Sequence, residues 1–332
     1  MGDAVAIAVP PARGLPFSRA NARLAARVED SEMAQQIPVG PEALPNEVER
    51  GHVRQVMPEL AYQRVAIVNV VYCGVSGPGG QEWVLIDAGV MGAADRIVAG
   101  AEDLYGKNAR PAAIVMTHGH FDHVGALEEL AGRWGVPIYS HELELPYLGG
   151  RSAYPPPDPK VGGGLMATLS RFYPRRSVDV SPWITPFPAD GSISAMPGWR
   201  WIHTPGHTPG HVSLWREVDR TLIAGDAFIT TAQESAYAVA TQRPELHGPP
   251  MYYTQDWEQA RESVKRMAAL EPELAITGHG RALRGAELRR ALHELARAFD
   301  RIAVPDRGRY VDHPTRADDG SAYPPADESR AA

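Results

Sequence analysis

A layered α/β domain, with a central pair of sheets covered by helices, is the fold class this sequence predicts, and three observations predict it. Strand-like runs of β-branched residues alternate with helical spacing, and the alternation occurs twice, strands then helix in each half. Clusters of His and Asp stand where strand runs end, at 117–123, 207, 226 and 279, the usual place for chemistry in such domains. The chain has 332 residues, 44% hydrophobic and 22% charged, a globular composition long enough for one large domain or two small ones.

Taken in order, residues 1–50 lack a sustained period and are broken by six prolines. They read as an N-terminal arm with one short helix at 19–35. The main domain spans 51–303. Strand signals start near residue 60 with "RVAIVNVVYCGV"; "EWVLIDAGV" follows the turn "SGPGGQ", so the two form a hairpin with a long loop. "AADRIVAGAEDLYG" has helical spacing. "AAIVMTHGH" is a short buried strand ending on histidines, and "DHVGALEELAGRWG" is a helix opening at Asp122 and closing at a glycine. "VPIYSH" is a further strand. Residues 146–182 are a Pro- and Gly-rich insertion, too long for an ordinary connection and of the kind that forms lids. Its Leu148, Tyr154, Leu165, Met166, Leu169, Phe172 and Tyr173 offer a partly apolar pocket wall. Strands resume at "SISAMP", "WRWIHTPG", "HVSLWRE" and "RTLIAGDAF". After an irregular stretch at 230–253 come the amphipathic helix "QDWEQARESVKRMAAL", the strand "LAITGHG" and the helix "AELRRALHELARAFDRI". Residues 304–332 read as a polar, loosely ordered tail.

Composition excludes several functions. A net charge of −7 gives no support for nucleic-acid binding, which needs clustered Lys and Arg. The single Cys73 permits no internal disulfide and no thiolate zinc cage; in a strand run it reads as an inert buried thiol. No apolar run reaches the roughly 20 residues that span a bilayer, and "AVAIAV" is too short for a signal-peptide core. The expectation is a cytoplasmic protein acting on a small molecule, with no nucleic-acid or membrane partner. The oligomeric state has no sequence signal.

The twelve histidines carry the chemistry. "MTHGHFDHVG" places His118, His120, Asp122 and His123 within six residues. An extended backbone puts His118 and His120 on one side, and the start of the next helix turns Asp122 and His123 toward a neighbouring point. Such a segment can supply ligands to two adjacent metals; an all-N/O set suits zinc and also allows iron or manganese. Capping of the helix by Asp122 does not explain three flanking histidines.

H-x-H-x-D-H after a strand resembles the signature of the metallo-β-lactamase-fold hydrolases. The resemblance extends over roughly 60–303 through "IDAG" (Asp87, Gly89), "GHTPGH", "AGD" with Asp226 and "TGHG" with His279. It implies an αββα four-layer sandwich with two divalent metal ions, zinc first, in a cleft at a sheet edge. It implies one metal on His118, His120 and His207 and a second on Asp122, His123 and His279. Asp226 would bridge them, a hydroxide between the ions would attack the substrate, and Asp122 would orient that water or move a proton. Asp87 resembles the family's buried aspartate beside the metal loop, with a structural role. In "HTPGHTPGH", Pro and Gly rule out a regular helix; His203 closes one strand, His211 opens the next, and only His207 stands at the tip.

Departures from the family narrow the activity. β-Lactam-cleaving members usually have Cys or Ser in place of the bridging aspartate. Acyl-homoserine lactonases have a tyrosine three residues after it, here Ile229. Glyoxalase II enzymes add a C-terminal helical domain, for which only 53 residues remain after His279. The expectation is a glyoxalase II- or lactonase-like dinuclear hydrolase cleaving an ester, thioester, lactone or similar bond. The alternatives are an iron-dependent oxidoreductase or dioxygenase on the same fold and a non-catalytic metal-binding module. His52, His293 and His313 read as solvated, and His141 as structural or cleft-lining. His247, Tyr154, Tyr237, Tyr252 and Tyr253 lie on segments that could cover the site.

Overall fold

The computed structural model describes residues 36–75, 82–175 and 177–326; the helix expected at 19–35 lies outside them. The first sheet has eight strands in chain order: β1 (Val48–Arg50), β2 (Val53–Met57), β3 (Leu60–Val65), β4 (Val68–Cys73), β5 (Val84–Ile86), β6 (Ala113–Val115), β7 (Ile138–Ser140) and β8 (Ile184–Pro186). The strands from β1 to β5 pair antiparallel and those from β5 to β8 parallel. The second sheet has five: β9 (Trp199–His203), β10 (Val212–Arg216), β11 (Thr221–Gly225), β12 (Leu274–Thr277) and β13 (Leu283–Arg284), with β11 and β12 parallel.

Alternation along the strands builds the layers. Leu60, Tyr62, Val71, Cys73, Val84 and Ile86 face Leu214, Ile223 and Ile276 of the second sheet. The opposite faces of the same strands, through Ala61, Val70, Tyr72 and Leu85, pack under helices α1 (Ala94–Tyr105) and α3 (Leu127–Trp134). The outer face of the second sheet, through Trp215, Leu222 and Ala275, packs under α7 (Trp257–Ala269) and α8 (Gly285–Arg297). The result is the αββα sandwich. The buried Cys73 thiol is pushed up to about 12 by burial, so it is inert as expected.

Several elements differ from expectation. The run 64–75 is broken at Ala66, which turns at φ 57° and folds β4 back on β3. The helix expected from Asp122 is two, α2 (Phe121–Val124) and α3, because the backbone N–H groups of Gly125 and Ala126 donate to Gly89 O and Ala88 O instead of into the helix. "SISAMP" forms no strand: Ser192 makes one bridge to Arg200 while Ile193 and Met196 bury through a turn. The edge strand β8 was not foreseen. The insertion contains α4 (Leu145–Leu148) and α5 (Leu165–Leu169), and the stretch 230–253 contains α6 (Ala236–Thr241). The last long helix breaks at Ala298 before α9 (Phe299–Ile302).

The boundaries also shift. Residues 37–50 are not a separate arm: Ile37–Pro38 pairs with Glu245–Leu246, and β1 extends the first sheet. The tail is not loose through 326. It carries α10 (Arg309–Asp312), buries Tyr310 and Ala322, and bridges Ser152 to Pro325. Among the described residues no helix is long and apolar enough to cross a membrane.

Candidate metal centre

Both sheets end at one point. The segment leaving β6 delivers His118 and His120, the first turn of α2 delivers Asp122 and His123, and the β9–β10 turn delivers His207. Asp226 follows β11 and His279 follows β12. All seven side chains are buried. Their donor atoms gather into three overlapping groups, each within 4.8 Å: His118, His120 and His207; His118, His123 and Asp226; Asp122, His123 and His279.

In the first group, His120 Nδ1 lies 3.0 Å from His118 Nε2 and 2.9 Å from His207 Nε2. The outer ring nitrogens fix the tautomers. His118 Nδ1 faces the Thr117 hydroxyl at 3.1 Å, whose own proton goes to Asp87 Oδ2. His207 Nδ1 faces Thr254 Oγ1 at 3.2 Å, and that hydroxyl donates to Pro250 O. Both Nδ1 atoms are therefore donors, and both Nε2 lone pairs point inward. His120 Nδ1 can donate to only one of them. Converging buried lone pairs at this spacing call for a cation.

In the group of Asp122, His123 and His279, His279 Nδ1 donates to Ile67 O at 2.7 Å. Its Nε2 stands 3.5 Å from Asp122 Oδ2 and 3.1 Å from Asp226 Oδ2. His123 Nδ1 donates to Asp87 Oδ2 at 2.8 Å, leaving Nε2 inward, 3.5 Å from Asp226 Oδ2. The same Asp226 oxygen is 3.4 Å from His207 Nε2, so it lies between the groups. His123 Nε2 and Asp226 Oδ1 are buried without a hydrogen-bond partner. These orphaned atoms and the nitrogen–carboxylate donor set fit divalent metal ions.

Charge separates the two sides of the site: the carboxylates around His123 and His279 outweigh burial and raise both rings above the ordinary histidine range, whereas the other three go down. Burial drives His118 and His120 well below the ordinary histidine range and His207 down to about 3, so these rings are neutral, the form a metal ligand needs. Burial pushes the Asp226 carboxyl up, but His279 and His123 outweigh it and hold it well below the usual carboxylate range. Burial raises the carboxyl of Asp122.

Close approach shapes the site. A Cβ on Gly278 would stand 2.0 Å from Asp226 Oδ1. Gly225, at φ 56°, would place one 2.6 Å from His211 Nε2, so glycine is required by both conformation and space.

Asp87, at φ 60°, accepts from Thr117 N and Oγ1 and from His123, orienting the metal loop from behind. Asp122 does not cap α2; His120 holds the N-cap position, and Asp122 sits inside the first turn. His203 ends β9, bonds Pro209 O at 2.8 Å and stacks on His141 at 4.3 Å, outside the donor groups. His211 is fully buried: its Nδ1 donates to Thr204, and its Nε2 accepts the Asp226 N–H at 2.9 Å. His52, His293 and His313 are exposed, and Tyr237 is 78% exposed. His247 is buried with neither ring nitrogen bonded.

Sequence reasoning missed Glu144. Its buried carboxylate accepts from Gly119 N at 3.0 Å, Gly210 N at 2.9 Å, Thr208 Oγ1 at 2.8 Å and the Tyr154 hydroxyl. It thus ties the His118–His120 loop to the His207 loop. Tyr154 and Tyr253 place their rings 4.4 Å from that of His120.

Residues 66–279 match the family model of the metallo-beta-lactamase superfamily. The chain is 46% identical over 238 residues to the probable metallo-hydrolase YflN of Bacillus subtilis, covering 72% of this chain and 90% of that one. It is 26% identical to the hydroxyacylglutathione hydrolase GloC of Haemophilus influenzae, over 52% of this chain and 70% of the relative. The fold resembles the crystal structure of a beta-lactamase domain protein from Burkholderia ambifaria, with a TM-score of 0.53, 20% identity, and coverage of 80% and 77% of the two chains.

Proposed function

The chain belongs to the metallo-beta-lactamase superfamily, and we propose that within it the protein is a dinuclear metal-dependent hydrolase cleaving a small ester, thioester or lactone. The observation that carries this is Asp226 Oδ2, 3.4 Å from His207 Nε2 in one donor group and 3.1 Å from His279 Nε2 beside the other. His118, His120 and His207 would hold one ion, Asp122, His123 and His279 the other, and Asp226 both. Two such ions lower the pKa of a bound water and stabilise charge developing on an attacked carbonyl oxygen. The chain's own residues supply the rest. Thr117, Thr254, Asp87 and the Ile67 carbonyl hold the imidazoles in the tautomers that face inward. Asp122, whose proton affinity burial raises, is placed to hold or pass a proton. Tyr154 and Tyr253 cover His120 and exclude water from that side. The relatives named metallo-hydrolase and hydroxyacylglutathione hydrolase support the reaction class. The nitrogen–oxygen donor set favours zinc and accommodates iron or manganese.

The test is metal content and turnover together. Purified protein should carry close to two divalent ions per chain and hydrolyse part of a panel of lactones, thioesters and aryl esters. Asp226→Ala should lose that hydrolysis by at least 100-fold while keeping its fold by circular dichroism. Equal turnover in wild type and Asp226→Ala at saturating metal would overturn the bridging role. Oxygen uptake by an iron-loaded protein without hydrolysis would replace the reaction class with a redox one.

A further inference from the structure

A cavity of about 280 Å³ lies beside the strand end that carries His279, and none of the residues of the candidate metal centre lines it. Four arginines do: Arg54 from β2, Arg64 from β3, Arg96 from α1 and Arg281 just after His279. Their compensation is uneven. Glu47, nearly buried, serves two of them, accepting from Arg281 at 2.9 Å and from Arg54 at 3.4 Å, and also from the Tyr62 hydroxyl. Glu49 stands 3.9 Å from Arg54 and is largely exposed. Asp103 accepts the backbone N–H of His52. Among the described residues no carboxylate comes within ion-pair distance of Arg64 or Arg96.

Arg64 is half-buried and donates one bond to Val239 O at 2.6 Å, and among the described residues its Nε and that of Arg281 have no hydrogen-bond partner. A half-buried guanidinium beside other guanidiniums is costly without a counterion. A self-contained ion network would bring a carboxylate to Arg64, and this one does not. The cavity is also built rigidly: the Asn69 amide on its wall is committed to Thr277 O at 2.9 Å and Gly280 O at 2.7 Å. Arginines brought to one cavity by several elements suit a multidentate oxyanion better than a single carboxylate.

We propose that this cavity is a binding site for a phosphate group, either inorganic phosphate or the phosphoryl group of a larger molecule, with Arg64 and Arg96 as the uncompensated cations that recognise it. The site is distinct from the metal centre, and its occupancy does not depend on turnover.

The experiment is calorimetric titration of metal-loaded protein with sodium phosphate at low ionic strength, in wild type, Arg64→Gln and Arg96→Gln. Phosphate that binds at the metals is common to all three proteins, so the cavity is read as the difference between them. Arg64→Gln should weaken that component at least tenfold and Arg96→Gln several-fold, with metal content unchanged. Added sodium chloride should weaken it further. Arg96 is exposed on a helix, so its variant keeps the test open if Arg64→Gln fails to fold. Glycerol 3-phosphate binding more tightly than phosphate would assign the ligand to a larger phosphorylated molecule; equal or weaker binding would assign it to free phosphate. Identical phosphate binding in wild type and a folded arginine variant would overturn the site. Absence of hydrolytic activity would sink the proposed function and leave this result standing.

Discussion

His207 is held from outside by Thr254 and turned inward to His120 and Asp226, whereas its neighbours four residues away serve other ends. His207→Ala should therefore lose one metal and nearly all activity. His211 gives its Nε2 to the backbone of Asp226, so His211→Ala should still bind two ions at saturation but with affinity weakened roughly 10- to 100-fold. The His203 ring bonds the turn carbonyl of Pro209 and stacks on His141; His203→Ala should keep both metals and lose activity only moderately. Mass spectrometry after dialysis, with turnover on one active ester, separates the three. A metal lost from His203→Ala but kept by His207→Ala would contradict this geometry. That the donor side chains gather was legible in the sequence through H-x-H-x-D-H and the family resemblance it carries, and at 203–211 Pro and Gly exclude helix and leave one histidine at the tip. Glu144 was not: its partners Gly119, Tyr154, Thr208 and Gly210 come from three separate segments. Nothing local in "HELEL" distinguishes Glu144 from Glu142.

The insertion divides into two parts that its sequence does not separate. Leu148 and Tyr154, expected in a pocket wall, are buried in the scaffold, and Tyr154 reaches Glu144 and His120. Leu165 and Phe172 are exposed, and Tyr173 turns back to Phe121 at 5.1 Å, in the turn beside the metal ligands. Apolar residues in a Pro-rich stretch look alike when no period assigns them a face, which is why one wall was expected. The two parts should respond differently. Leu165→Ala and Phe172→Ala should change KM ratios several-fold across an ester panel and leave metal content at the wild-type value. Tyr154→Phe and Glu144→Gln should lower metal retention under chelator challenge, because the loops carrying His118, His120 and His207 lose a shared acceptor. Metal loss in Phe172→Ala, or unaltered retention in Glu144→Gln, would reverse the division.

Across the whole molecule, the layer order followed from the alternation of strand and helix patterns, because burial on both sheet faces leaves a clear trace in composition. The chain ends did not follow. A polar, Pro-rich tail reads as loose when its partners are single side chains spread over the fold. Arg316 pairs with Asp256 at 2.8 Å, Thr315 bonds Gln255, and Tyr323 and Ala322 bond Leu143 and Tyr147. Asp256 in turn caps α7 and, with Gln255, donates its backbone N–H to Gly206 O at 2.9 Å, next to His207. The tail therefore braces the metal turn through Asp256 and braces the insertion through Tyr147. Truncation after Ala303 exposes the surface that Tyr310 and Ala322 cover, a loss on the order of 3 kcal/mol and several degrees in Tm. Arg316→Ala removes a solvent-screened guanidinium from a buried Asp256 carboxylate that keeps its bonds to Gln259, so its Tm should move far less than that of the truncated protein. If the bracing matters for the site, the truncated protein should also release metal faster under chelator at a temperature where it remains folded. A truncated protein with wild-type Tm and wild-type metal release would mean that the tail only rests on the fold.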